Sequence, residues 1–363
     1  MTRIAVDLRM YRHSGIGRYL RNLLPPLLPL LNAASIRVIA SPALIAGAAW
    51  LNDPRIEVFA TQAPIYSIAE QILPLGGAFR DTQLLWVPHY NAPLLYRGPL
   101  VVTIHDIAPI ALPEILNNPI ERAYARLLIQ RATSHASAIL SASEFTVREL
   151  QSRLGVDPAK ITVAYQGLEE SWPATAEPHR ELDGPPYLLY VGNVKPNKNL
   201  GRLLEAFARI QNQIPHRLIL AGKMRGFGTD DDAVLKRAAR FGDRVLFTGE
   251  IPDSELIALY AGAAALVMPS LYEGFGLPLL EAMHLGCPVL SSSAASLPEV
   301  AAEAALYFDP RNPQSIADCL LRVLDAPLMQ TLRTAGLARS ARFSYARCAT
   351  QTAAVLNPLL NRP

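Results

Sequence analysis

Pro269-Ser270-Leu271-Tyr272-Glu273-Gly274-Phe275-Gly276-Leu277-Pro278-Leu279-Leu280-Glu281-Ala282 follows directly on the apolar run Ala264–Met268, and its reading decides the fold. The run has the length and lack of charge of a buried strand. Pro278 falls near the first turn of the apolar segment after it, where a missing N–H costs a helix little. The stretch therefore reads as strand, glycine turn, helix. Gly274 and Gly276 let the backbone approach a ligand closely, and the free N–H groups at a helix start favour an anion. Glu273 and Glu281 each accept hydrogen bonds from hydroxyls, which suits a polyhydroxylated ligand. The same two carboxylates also suit an acidic cap followed by a solvated helix glutamate.

Similar apolar runs recur on both sides. Ile4–Leu8, Ile36–Ala40, Leu84–Val87, Leu100–Ile104, Ala138–Ser141 and Ile161–Ala164 precede it, and Tyr187–Val191, Arg217–Ala221, Val245–Thr248, Pro288–Ser291 and Ala305–Phe308 complete a second set. Helical periodicity marks Leu200–Ile214, Asp253–Ala261, Leu277–Leu285, Pro313–Leu324 and Tyr345–Leu356. Buried strands alternating with helices predict parallel βαβ sheets. The proline-rich, charged stretch Pro173–Pro186 is the best linker in the chain. The expected division is a first Rossmann-like domain at 1–172, a linker at 173–186, a second at 187–344, and a terminal helix in 345–363. Two doubly wound α/β domains of this kind face each other across a cleft, with ligands beyond the carboxyl ends of the strands.

Composition agrees with this architecture. The chain has 363 residues, 50% hydrophobic and 18% charged, enough for two domains and too apolar for disorder. A net charge of +3 does not announce a nucleic-acid binder. Cys287, Cys319 and Cys348 form no paired motif, which fits a reduced, cytoplasmic setting. The amino terminus lacks the pattern of a signal peptide, and the most apolar stretch, Leu20–Leu31, is cut by Arg21, Pro25, Pro26 and Pro29. With Arg9 and Arg12 nearby, that stretch reads either as a buried helix or as a peripheral contact with the cytoplasmic face of the inner membrane. Pro25 and Pro26 should break or kink it.

Glu273 and Glu281, separated by seven residues in their glycine-rich turn, resemble the E-x7-E motif of the retaining glycosyltransferases of family 4, which adopt the GT-B fold. The likeness extends through Gly286-Cys287-Pro288-Val289, Leu297-Pro298-Glu299-Val300 and Ala305–Pro310. It also takes in Lys198-Asn199-Leu200, Ala221-Gly222-Lys223, Thr248-Gly249, Thr103-Ile104-His105-Asp106 and Ser143-Glu144-Phe145. The resemblance implies transfer of a sugar from a nucleotide diphosphate with retained configuration to a glycan or lipid-linked saccharide acceptor, and a terminal helix that packs back on the first domain. No metal or other cofactor is expected, because the sequence holds no histidine or cysteine cluster of ligand spacing. By similarity Glu281 holds the ribose. Glu273, Gly274, Phe275, Gly276 and Leu277 meet the donor sugar and diphosphate, Gly249 and Ile251 lie by the base, and His105 lies near the reacting carbon. Many members carry an arginine where this chain has Asn193, so a second cation is needed, and Lys195 is the candidate. The P-x-K-N-L loop Pro196–Leu200 resembles a subgroup that includes bacterial mannosyltransferases of surface-polysaccharide assembly, which points to GDP-mannose and to polysaccharide or lipopolysaccharide biosynthesis. A nucleotide-sugar epimerase of similar architecture and a silent nucleotide-sugar-binding protein are the alternatives.

Other residues read on their own chemistry. Lys198 ends a strand loop, where it meets a diphosphate as a point charge; the helix dipole makes a merely structural lysine there mildly unfavourable. His105, at a strand end beside Asp106, reads equally as structural or active, and His89 as acceptor-side or structural. Gly15 and Gly17 lie in His13-Ser14-Gly15-Ile16-Gly17-Arg18-Tyr19, where Leu20 replaces the third glycine of a dinucleotide fingerprint. The better reading is a glycine loop whose N–H groups face the donor diphosphate, with Arg18 adding charge or pointing to solvent. Asp230-Asp231-Asp232 looks like a metal-binding D-x-D but reads as a helix cap.

Overall fold

The apolar runs become strands because each presents both faces to a core, as an internal parallel strand must. The computed structural model describes residues 2–72, 77–115, 118–169, 171–177, 184–224 and 232–361. The chain forms two compact units, one of Met1–Ile110, Asn118–Glu169 and Ser344–Pro363, the other of Ala111–Asn117 and Glu170–Phe343. Set beside the boundaries at 172, 187 and 344, this assigns the short excursion 111–117 to the second unit, where Pro113–Ile115 lies against Pro196–Lys198.

In the first unit, β1 (Arg3–Asp7), β2 (Ser35–Ala40), β3 (Ile56–Ala60), β4 (Leu84–Val87), β5 (Leu100–Ile104), β6 (Ala138–Ser141) and β7 (Ile161–Val163) pair in parallel in the order β3-β2-β1-β4-β5-β6-β7. Strand alternation sorts the core by face. Ile4, Val6, Ile36, Val38, Leu84 and Trp86 pack with the helices Ser14–Leu27 and Tyr345–Leu360, and Ala5, Ile39, Leu85, Val87, Val102 and Ile104 pack with Leu128 and Ile129 on the other side. β3 escaped the sequence reading because it is a half-exposed edge strand whose Glu57 pairs with Arg37.

Leu20, Leu23, Leu24 and Leu27 belong to this core and pack with Tyr345, Cys348 and Leu356 of the terminal helix. That corrects the membrane-contact reading of Leu20–Leu31, whose arginines are also committed. Arg9 is buried between Asp7 and Glu70, Arg12 donates to the Leu44 and Ala46 carbonyls, and Arg21 donates to the Tyr11 carbonyl. Among the described residues no helix is long and apolar enough to cross a membrane. The break expected at Pro25 and Pro26 also shifts: the helix runs through both to Leu27 before tightening into a 3-10 turn at Leu28–Leu30.

The second unit repeats the plan with β8 (Tyr187–Val191), β9 (Arg217–Ala221), β10 (Val245–Gly249), β11 (Ala265–Met268), β12 (Val289–Ser292) and β13 (Ala305–Phe308), in the order β10-β9-β8-β11-β12-β13 and all parallel. Leu203, Leu204, Phe207 and Ile210 of the helix Leu200–Ile210 close its core over Leu188, Tyr190, Leu218 and Leu220. Of the acidic triplet, Asp230 and Asp231 lie outside the described residues, and Asp232 opens the helix Asp232–Ala239.

The terminal helix is anchored where the chain re-enters the first unit. Leu168 bridges Ser344 in parallel, and a Cβ on Gly167 would sit 2.3 Å from backbone atoms of Ser344 and Tyr345. Gly167→Ala is therefore expected to destabilise the first unit by about 1–3 kcal/mol, the range for overpacking against atoms that cannot give way. Urea unfolding followed by circular dichroism measures it, and an unchanged midpoint would show that the crossing has slack.

Candidate functional site

In the second unit the strand order reverses between β8 and β11, and the two loops beyond their carboxyl ends stand at the usual ligand position of an open parallel sheet. The two loops are Gly192–Asn199 and Pro269–Gly276, and they are stitched together. The Leu271 N–H donates to the Asn197 carbonyl (2.8 Å), and the Asn197 amide donates to the Tyr272 carbonyl (3.1 Å). The Asn199 amide donates to the carbonyls of Pro269 (2.9 Å) and Pro310 (2.7 Å). Asn199 starts the helix Leu200–Ile210 in the left-handed region at φ +60°, which asparagine tolerates better than most residues. Fixed in this way, Lys198 reaches Glu273: Nζ lies 2.6 Å from Oε1, with 17% and 13% of the two side chains exposed. Lys195 sits one residue before the turn Pro196–Lys198.

The glycine turn is held from beneath. The Ser296 hydroxyl lies 2.9 Å from the Glu273 carbonyl and 3.0 Å from that of Phe275, and the Phe275 ring meets Phe343 edge-on. Gly276 caps the helix Leu277–His284 at φ +106°, and a Cβ there would come within 2.8 Å of Leu297. Glu281 is buried within that helix and accepts a 2.8 Å hydrogen bond from Tyr260. The loops after β8, β9 and β10 lock through their glycines. Gly192 N–H donates to Ala221, Gly222 N–H donates to Gly249, and a Cβ on Gly222 would lie 2.3 Å from the Gly192 carbonyl oxygen. Gly249 takes φ +74°, and partly exposed Ile251 follows it. Lys198, Glu273 and the turn to Leu277 thus form one constellation, with Lys195 at its edge. Glu281 lies about two helical turns further on, and Gly249 and Ile251 lie beyond the next strands.

In the first unit the same reversal falls between β1 and β4. Gly15 and Gly17 are not in a loop, as the sequence reading had them, but in the first turns of the helix Ser14–Leu27. They differ in what they permit. A Cβ on Gly17 would meet the Tyr11 carbonyl oxygen at 2.5 Å, so packing demands glycine, whereas one on Gly15 would meet nothing within 4 Å. His105 follows β5 with both ring nitrogens engaged. The Gln166 amide donates to Nδ1 (3.2 Å), Nε2–H donates to the Pro88 carbonyl (3.1 Å), and Tyr19 packs edge-on against the ring. Burial holds the imidazole down to about 4, so it is neutral near pH 7. Among the described residues, no group of three or more histidines, cysteines, aspartates or glutamates is placed to hold a metal ion.

Sequence reasoning missed the residues that act through others: Asn197, Asn199, Ser296, Tyr260 and Gln166. Only Asn199 carried a local signal, an asparagine at a helix start; the others are polar residues whose partners are distant in sequence.

The family described as "Glycosyl transferases group 1" matches residues 173–337, and that described as "Glycosyltransferase Family 4" matches residues 79–172. The chain is 30% identical to the O-antigen chain mannosyltransferase B of Escherichia coli over 94% of its own length and 95% of that protein. It is 28% identical to the O-antigen chain mannosyltransferase RfbU of Salmonella typhimurium over 69% and 67% of the two chains. In fold it is similar to sucrose-phosphate synthase from Thermosynechococcus elongatus (TM-score 0.77, 20% identity, 99% of each chain). It is also similar to WaaG, a glycosyltransferase involved in lipopolysaccharide biosynthesis (TM-score 0.73, 16% identity, 96% and 98% of the two chains). Two Rossmann-like parallel sheets, the paired lysine and glutamate at the second reversal, and a full-length relative at this identity place the chain among the GT-B glycosyltransferases of the group 1 and family 4 type.

Proposed function

We propose that this glycosyltransferase moves mannose from GDP-mannose, with retained configuration and without a metal ion, to a hydroxyl of a glycan or lipid-linked saccharide during assembly of a bacterial surface polysaccharide. The donor and acceptor classes are supported by the O-antigen mannosyltransferases it resembles over most of its length. Free, buried cysteines suit work in the reducing cytoplasm. The observation that carries the chemistry is the Lys198–Glu273 pair at the strand reversal.

Cleavage of the sugar–phosphate bond puts positive charge on the anomeric carbon and negative charge on the departing diphosphate. Lys198 meets the leaving group, with Lys195 as the second cation, and the N–H groups of Gly274–Leu277 add a helix-start dipole. Glu273 holds Lys198 in position and takes hydroxyls of the donor sugar. Glu281, braced by Tyr260, accepts from the ribose, and Gly249 and Ile251 bound the base. His105 stays neutral and lies by the reacting sugar. Gly15 keeps the backbone open to the diphosphate. No side chain is assigned as nucleophile or general base; the departing phosphate oxygen takes the acceptor proton on the face it leaves.

Lys198→Ala and Glu273→Ala should each lower turnover at least ~100-fold, about 2.7 kcal/mol of barrier. Release of GDP from GDP-mannose measures this, and near-wild-type rates would remove both roles. Gly15→Ala should leave stability unchanged or raised by up to about 1 kcal/mol through helix propensity. It should nonetheless weaken GDP binding by calorimetry, and unchanged affinity would take Gly15 out of the donor site. The pH dependence follows from His105. Its folded-state value lies below the unfolded one, so on acidification the unfolded chain takes up the proton first and stability falls. The loss should run from about pH 6.5 to about pH 4 at roughly 1.4 kcal/mol per unit. His89 is held down as well and adds a like slope, so His105→Gln should lower the slope by about 1.4 kcal/mol per unit in urea titrations, and an unaltered slope would show that His105 is not held neutral.

A further inference from the structure

At the first unit's strand reversal, the ends of β1 and β4 carry a buried polar chain that the proposed donor chemistry does not use. Arg9 lies between Asp7 and Glu70, all three under 9% exposed. Glu70 is fully buried and its carboxylate is saturated. Oε2 accepts from Arg9 (3.3 Å), the Tyr66 N–H (2.9 Å) and the Asn91 amide (3.1 Å), while Oε1 accepts from Gln71 (3.2 Å). Tyr66 is held in the left-handed region at φ +59°, an unfavourable conformation for a bulky residue. Buried ionic groups are poor sources of stability compared with apolar packing, so a chain like this points to positioning.

What the chain positions can be followed atom by atom. Asn91 gives its N–H to Glu70, so its oxygen faces His89 Nδ1 at 3.0 Å. An amide oxygen only accepts, so Nδ1 carries the proton and the neutral ring has its lone pair at Nε2. Among the described residues nothing bonds to Nε2, and His89 keeps 8% of its surface exposed. With Nδ1 protonated, the Tyr66 hydroxyl, 3.4 Å from both Nδ1 and the Tyr90 hydroxyl, donates to Tyr90, which keeps its own proton to donate. The His89 and Tyr90 rings lie 3.9 Å apart between centroids. A neutral acceptor nitrogen and a hydroxyl donor on adjacent rings are the groups that recognise the hydroxyls of a saccharide.

We propose that His89 Nε2 and the Tyr90 hydroxyl bind hydroxyls of the acceptor saccharide, with Glu70, Asn91 and Tyr66 as positioning residues. This rests on the transferase reading above. Burial and the neighbouring His105 hold His89 down to about 3, so the group works as a neutral hydrogen-bond acceptor throughout the physiological range.

The test uses the full chain and two independent readouts. Saturation-transfer NMR with methyl glycosides of mannose, glucose, galactose and N-acetylglucosamine reports acceptor binding, and GDP release from GDP-mannose in water reports donor chemistry. At least one glycoside should bind the wild type. His89→Phe should abolish that binding, His89→Gln should retain part of it, and Tyr90→Phe should weaken it about 10-fold. GDP release without acceptor should change less than about twofold in all three. Tyr90→Phe removes a single oxygen, so it carries the test if His89→Phe unfolds on a thermal melt. Long-range 15N spectra should show His89 protonated at Nδ1. Failure of all four glycosides to bind the wild type, binding indifferent to both residues, an Nε2–H tautomer, or an equal fall in hydrolysis and glycoside binding each overturns the proposal. Glycoside binding with no turnover of GDP-mannose instead defeats the donor assignment alone.

Discussion

The reversal of strand order beside β8 is the constraint on which the second unit's chemistry depends. β9 and β10 extend the sheet one way and β11 to β13 the other, so the loops after β8 and β11 flank the point where the order reverses. Lys198 and Glu273 stand on those two loops and meet at 2.6 Å. Nothing in the local sequence brings a lysine and a glutamate 75 positions apart together; the parallel topology does. Asn197 and Asn199 then tie loop to loop through backbone carbonyls, so the pair is held by the sheet and not by its own attraction. That matters for catalysis, because stabilising a leaving group depends on charges already in place when the bond breaks.

The first unit uses the same geometric opening with different chemistry. At its reversal the residues are a buried arginine between two carboxylates, an asparagine, a histidine and two tyrosines. Both of its strand-end histidines, His89 and His105, are kept neutral by burial, against hydrogen bonds to Asn91 and Pro88 that favour the protonated ring. Each reversal thus carries paired charges, Lys198 with Glu273 in the second unit and Arg9 with Asp7 and Glu70 in the first, and the first adds neutral histidine and tyrosine groups.

The sheets were legible in the sequence because parallel strands carry apolar runs, and twelve such runs stand out against turn residues, the edge strands β7, β10 and β13 among them. β3 was not, because Glu57 interrupts its short apolar run. The glycine turn and its two glutamates were legible as a motif, and so was Lys198. Their contact was not, nor was the role of Tyr260 beneath Glu281, since side-chain partners distant in sequence leave no periodic trace. The Leu20–Leu31 stretch shows the converse: its composition allowed membrane contact, and only the terminal helix packed against it shows that it is core. Gly15 and Gly17 look alike in sequence, yet only one of them is required by packing.

The most direct measurement is anomeric. Purified protein, GDP-mannose and a mannoside acceptor are incubated, and the new linkage is read by NMR alongside release of GDP. An α-linked product from the α-configured donor, formed with stoichiometric GDP and lost in Lys198→Ala, is the expected result. A β-linked product, or turnover that persists without Lys198, contradicts same-face transfer driven from the second unit's strand reversal.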